Sequence, residues 1–125
     1  MTLLRNVLFL VFTISMPALT ACKKDKCTAP DIAVNIIGTW VESYSGDTVE
    51  FKADGTLIDE NNALLGIGAM SNKTYVITGT DLEITAVEVG NASTVSATFT
   101  IESNECDKVK LGVPLFGLTT TLTRK

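Results

Sequence analysis

The sequence predicts an all-β fold, a small eight-stranded antiparallel up-and-down barrel preceded by a short N-terminal helix. Three observations predict it. From Gly38 to the C-terminus, apolar residues recur at every second position, the period at which a pleated strand sends its side chains to one face. The runs are separated by short turns such as Asp54-Gly55, Gly79-Thr80 and Gly90-Asn91, which suit hairpins. No interval leaves room for the crossover that parallel neighbours need. A meander of this strand count, apolar on one face, closes most economically into a barrel without open edges.

Residues 1–21 precede that pattern and differ from it. Arg5 leads into an apolar run from Val7 to Met16, followed by Pro17 and Ala18. The run is too short for a comfortable permanent span and has the build of a secretory signal. Leu19-Thr20-Ala21-Cys22 follows and resembles the bacterial lipobox, whose cysteine is acylated before cleavage. The resemblance implies a lipoprotein signal peptide over 1–21, a lipidated Cys22 bearing palmitate-type chains, and a mature chain whose first partner is a membrane. Lys23 stands where enteric inner-membrane lipoproteins carry Asp, which implies the outer membrane, on its periplasmic or its cell-surface face. The alternative is an ordinary signal cleaved after Ala21, with Cys22 a plain thiol.

What remains is enough for one domain. Residues 22–29 are short, charged and aperiodic, and form a lipidated tether. The barrel domain occupies 30–125. Pro30 and Asp31 open a brief helix over 32–37, in which Ile32, Val34 and Ile36 recur before Gly38 ends it. The strands are expected at about 39–45, 47–53, 56–60, 73–78, 81–88, 93–102, 106–113 and 118–124. The longest alternation sets Val95, Ala97, Phe99 and Ile101 against Thr94, Ser96, Thr98, Thr100 and Glu102.

Ile37-Gly38-Thr39-Trp40 resembles the start of the lipocalin-like (calycin) barrels, where a Gly-x-Trp follows a short helix and begins the first strand. Arg124, in Thr121-Leu122-Thr123-Arg124, sits where that family has an arginine in its last strand. Val49 to Thr56 looks like the second and third strands of the small lipocalin-like lipoproteins of Bacteroidetes. The resemblance spans roughly 32–125 and implies that Trp40 and Arg124 close the barrel floor. It brings no ligand-binding residues, since no family binding motif matches. For Arg124 the other reading is a solvated charge beside Lys125.

Export places Cys27 and Cys106 in an oxidising compartment, where an even pair forms a disulfide. Closing a loop of about 80 residues is worth on the order of 4 kcal/mol. A metal site is the poorer reading, because the chain has no His and no second cysteine pair. In a simple meander the connections alternate between two ends. The tether, Trp40, Cys106 and Arg124 then share the floor, and the 61–72 and 113–117 connections share the mouth. Both are unusually apolar. Leu64, Leu65, Ile67, Met70, Leu115 and Phe116 form either a plug that seals the core or a rim for a ligand or partner.

Catalysis is not expected, and neither is a cofactor. Without His, a Ser or Cys nucleophile lacks its usual base. Adjacent Asp59 and Glu60 point to opposite faces of a strand, and Glu102, Glu105 and Asp107 lack the spacing of a calcium loop. A net charge of −4 without a basic stripe argues against nucleic acid. Three functions remain: a lipocalin-like module binding a small apolar or amphipathic ligand, a solid-barrel hydrolase inhibitor or interaction lipoprotein, and a component of an envelope assembly.

Overall fold

The computed structural model describes residues 27–66 and 68–125; the signal segment, Cys22, residues 23–26 of the tether and Ile67 lie outside the described residues. The elements follow the meander. A single helix, α1 (Ile32–Asn35), precedes eight strands: β1 (Gly38–Glu42), β2 (Thr48–Phe51), β3 (Leu57–Ile58), β4 (Met70–Thr78), β5 (Asp81–Glu88), β6 (Thr94–Asn104), β7 (Lys108–Val113) and β8 (Leu118–Arg124). The helix starts where Asp31 accepts the Ala33 N–H at 2.9 Å, which satisfies one of the orphan donors of its first turn. It ends two residues short of the expected 32–37, with Ile36 as its C-cap.

All strand pairs are antiparallel, and the sheet order is β3-β2-β1-β8-β7-β6-β5-β4. Sequence neighbours are therefore spatial neighbours everywhere, and the β1–β8 ladder joins the two chain ends. The row nearly closes on itself: β3 and β4 meet through the bridge Thr56↔Thr74, beside which the Tyr75 N–H donates to the Gly55 carbonyl at 2.8 Å. Phe51 and Tyr75 pack edge to face across this seam, with ring centroids 5.0 Å apart, and the Tyr75 hydroxyl donates to the Lys52 carbonyl at 2.7 Å. Burial, and then the charge of Asp54, push that hydroxyl above its usual 10.0, so it remains a donor at any physiological pH.

The inward residues fill the barrel. Ile36, Trp40, Val49, Phe51, Leu57, Leu82, Ile84, Phe99, Val109, Leu111 and Leu122 form one buried cluster. Two expected boundaries moved for identifiable reasons. The third strand, expected over 56–60, shrinks to two residues because Asp59 leaves the ladder to cap the next turn. The fourth starts at Met70 rather than at 73, crossing a register shift between Ser71 and Thr74 where Asn72 takes a φ of 49°, the extra residue of a bulge.

Candidate functional site

At the floor, the sequence places an indole and a guanidinium at opposite ends of the domain, and the fold stacks them. Trp40 pairs with Arg124 across the β1–β8 ladder, and the guanidinium carbon lies 4.2 Å from the ring centroid. The indole N–H donates to the Ile36 carbonyl at 2.7 Å. Arg124 spends its donors on three main-chain carbonyls and one side-chain amide oxygen: Nε on the Cys106 carbonyl at 3.0 Å, Nη1 on that of Ile37 at 3.4 Å, and Nη2 on both the carbonyl and the Oδ1 of Asn35 at 2.6 and 2.9 Å. A planar fork is needed to reach so many points at once. Gly38 makes room for it, since a Cβ there would stand 3.0 Å from Nη1, on a backbone with φ of 128°.

The same end holds the N-terminal segment. Cys27 and Cys106 are disulfide-bonded with their Cα atoms 6.2 Å apart, within ordinary disulfide geometry. The Asn35 amide donates to the Asn104 Oδ1 and the Glu105 carbonyl, both at 2.7 Å, and the Asn104 amide donates to the Pro30 carbonyl at 2.8 Å. Helix, Pro30, Cys106 turn and final strand are thus one hydrogen-bonded base, to which the disulfide ties Cys27.

At the mouth, the apolar residues that the sequence offers as either plug or rim divide in two. Leu64 is buried in the core, and Ala63 and Leu65 pack against it. Leu64 and Leu65 are therefore plug rather than rim, because the 59–66 turn folds inward under a polar latch. The buried Asp59 carboxylate accepts the N–H of Ala63 at 2.7 Å and of Leu64 at 3.1 Å, and the Lys73 ammonium, also buried, donates to the Asp59 carbonyl. Met70 is half-buried in β4, opposite Glu88. The other connection behaves differently. Leu115 and Phe116 are 88% and 73% exposed, on a tight turn in which the N–H groups of Phe116 and Gly117 both donate to the Val113 carbonyl at 3.1 Å.

Three hollows adjoin this turn, one of them a depression of about 240 Å³ over Thr100, Glu102 and Gly112. A cup of about 150 Å³ opens between Leu64, Phe99, Val113, Leu118 and Thr120, so the 63–64 and 113–118 segments do share one end. A groove of about 470 Å³ runs between Ser96, Ala97 and Thr98 of β6 and Val113, Pro114, Leu115 and Phe116. Glu42 lies at the base of the cup. Its buried carboxylate accepts the N–H of Tyr44 and Ser45 at 2.9 and 2.8 Å, the Ser45 hydroxyl at 2.8 Å, and the Thr120 hydroxyl. Burial pushes this carboxyl up, but the Thr120, Ser45 and Tyr44 donors outweigh it and hold the group below its usual 4.5.

Glu42, Asp59 and Lys73 escaped the sequence reading as interior residues. The signal for Glu42 was present, since alternation puts it on the same face as Trp40. The same alternation sets Asp59 beside Leu57 in the expected 56–60 strand and Lys73 beside Tyr75 and Ile77, but it gives no hint that Asp59 leaves the ladder to cap a turn. The acidic cluster near the floor does not converge: Glu102 pairs with Lys110 at 2.8 Å. Among the described residues no group of three or more His, Cys, Asp or Glu is placed to hold a metal, and no helix is long and apolar enough to cross a membrane.

Fold and site together define the class, a small, nearly closed all-β barrel with a clamped floor, a latched mouth and an apolar turn projecting beside it. No protein-family model, curated protein or solved structure matches the chain.

Proposed function

We propose that the chain is an exported, lipid-anchored lipoprotein of the lipocalin-like type that works without catalysis, binding a macromolecular partner of the cell envelope through the 113–118 turn at its mouth. The observation that carries this reading is the pairing of a filled interior with Leu115 and Phe116 held out in solvent. The cup that reaches toward the core, at about 150 Å³, is half the smallest volume usual for a ligand pocket, roughly 300 Å³. A tight turn that holds a Leu and a Phe side by side in solvent has the character of an interface anchor, because adjoining large apolar side chains left uncovered mark interaction surfaces. The floor carries the tether in this reading, so a lipid on Cys22 lies beneath the barrel and the turn faces away from the membrane.

A benzophenone-bearing residue in place of Phe116, irradiated in intact host cells, should give one discrete crosslinked protein, and Leu115→Asp should abolish it. Acyl labelling should depend on Cys22. The groove of about 470 Å³ favours a second reading, capture of a small apolar or amphipathic ligand outside the barrel. Native mass spectrometry of the domain from its own host decides between them: a bare polypeptide mass fits the partner reading, and a retained small molecule overturns it.

A further inference from the structure

The barrel is interrupted in two places, and the two are finished differently. At the β3–β4 seam, β3 is cut to two residues, Thr56 bridges Thr74, and the loop above the bridge is tied down by Lys73 on the Asp59 carbonyl. A short strand and an inward-pointing charge are the devices by which sheets keep an edge from pairing with another chain. The second interruption has neither. The β6–β7 ladder starts only at Thr100↔Gly112, whereas β6 is paired with β5 as far up as Val87↔Thr94. Residues 94–99 of β6 are therefore laddered on the β5 side alone.

The cause is in the sequence. Continuing the β6–β7 register sets Pro114 opposite Thr98, and proline has no N–H for the ladder. The chain turns back toward β8 there, with the Val113 carbonyl committed to the turn. The groove of about 470 Å³ is the space that β7 leaves vacant. Backbone direction follows from one bond: the Ile101 N–H donates to the Thr80 carbonyl in the 79–80 turn that leads into β5. Odd-numbered residues of β6 thus direct their main-chain groups to β5, and even-numbered ones, Ser96 and Thr98, direct theirs into the groove. Thr94 to Phe99 contains no charge, no proline and no glycine, and so carries no guard against pairing.

We infer that this groove is a strand-addition site: an extended peptide segment of the partner pairs with the open edge of β6 at Ser96 and Thr98, its alternate apolar side chains resting on Ala97, Leu115 and Phe116. The inference rests on the partner reading above and specifies the chemistry of that partner. Main-chain donors and acceptors at strand spacing are complementary to one thing, another extended backbone, and the apolar wall supplies the side-chain selection that the backbone lacks. The slot lies between β6 and the turn that joins β7 to β8, so it is bounded on both sides and offers room for a single strand.

The test is amide exchange by NMR on the isotopically labelled 22–125 chain with the disulfide intact. The probe is an acetylated, amidated heptapeptide, Lys-Val-Thr-Val-Thr-Val-Lys, and its control is the same peptide N-methylated at alternate residues, which keeps the side chains but removes the donors of one edge. Without peptide, the Ser96 and Thr98 amides should exchange far faster than those of Ala97 and Phe99. Millimolar peptide should slow them by about tenfold or more, and the N-methylated peptide should not. Thr98→Pro, which takes away a groove-facing N–H, should leave the fold intact and abolish the protection. Unchanged exchange at saturating peptide overturns the inference. So does protection that appears without peptide and rises with protein concentration alongside a doubled mass in sedimentation, since the edge would then join two copies. The crosslink from position 116 separates the two claims: if it survives in Thr98→Pro at full yield, the turn still meets its partner and strand addition alone fails.

Discussion

Arg124 is a residue whose contribution exceeds its charge. It faces no carboxylate within salt-bridge distance among the described residues; its guanidinium instead covers Trp40 and gathers the carbonyls of Asn35, Ile37 and Cys106. Arg124→Met keeps the aliphatic cover but strands those acceptors. Loss of a half-buried cation–π contact and of charged hydrogen bonds should destabilise the domain by about 2 kcal/mol, read as a lowered urea midpoint at unchanged slope. Arg124→Lys should recover less than half of this, because an ammonium cannot span the three carbonyls. Glu42 makes a pH-dependent contribution. Its folded carboxyl sits below 4.5, so its stabilisation is complete above that value and is lost as the pH falls through the lower, folded one. Glu42→Gln should therefore cost most at neutral pH, where its amide would face the Ser45 and Tyr44 donors. The gap from the wild type in urea midpoint should narrow as the pH is taken below 4.5.

At the scale of elements, the strands were legible because their inward faces are mostly apolar and their outward faces mostly polar, and the period-two rule tolerates exceptions such as Glu42, Lys73 and the exposed Val76. The β5 and β8 spans coincide with expectation, and β6 differs by one or two residues at each end. The 59–66 turn was legible as apolar but not as a plug. Nothing local distinguishes an apolar loop that folds inward from one that projects, since the decision belongs to Asp59 and Lys73, one outside a strand and the other 14 positions away. The 113–117 turn, similar in composition, has no such latch and stays outside. Nor was the open edge of β6 visible from alternation, because it arises from Pro114 acting on a neighbouring strand. Asp59→Ala should expose the difference. Removing a carboxylate that caps two N–H groups costs about 1–2 kcal/mol, as in helix caps. The amides of Ala63 and Leu64 should exchange faster while those of β5 do not, and an apolar dye should begin to bind the uncovered mouth. Unchanged exchange at Leu64 would mean that packing alone holds the plug.

For the whole molecule, the question is how a barrel with a two-residue strand and an open edge stays closed, and the floor supplies the answer. The Cys27–Cys106 disulfide spans 79 positions of sequence, a loop whose closure entropy alone corresponds to about 4 kcal/mol. That value assumes the unfolded chain is the only state affected. Here Cys106 also offers its carbonyl to Arg124 Nε, and Arg124 holds Asn35, which in turn binds Asn104 and Glu105. Bridge and guanidinium therefore support the same turn, and their contributions should not add. Replacing Cys27 and Cys106 by Ser should lower the unfolding free energy by roughly 2–4 kcal/mol without dissolving the barrel. The same replacement made in the Arg124→Met background should cost more, because the 105–107 turn then loses both of its restraints. A double-mutant cycle on urea unfolding should return a coupling of about 1 kcal/mol. A cycle that closes at zero would mean that the disulfide acts on the unfolded chain alone and that the floor is held by Arg124 without help from the bridge.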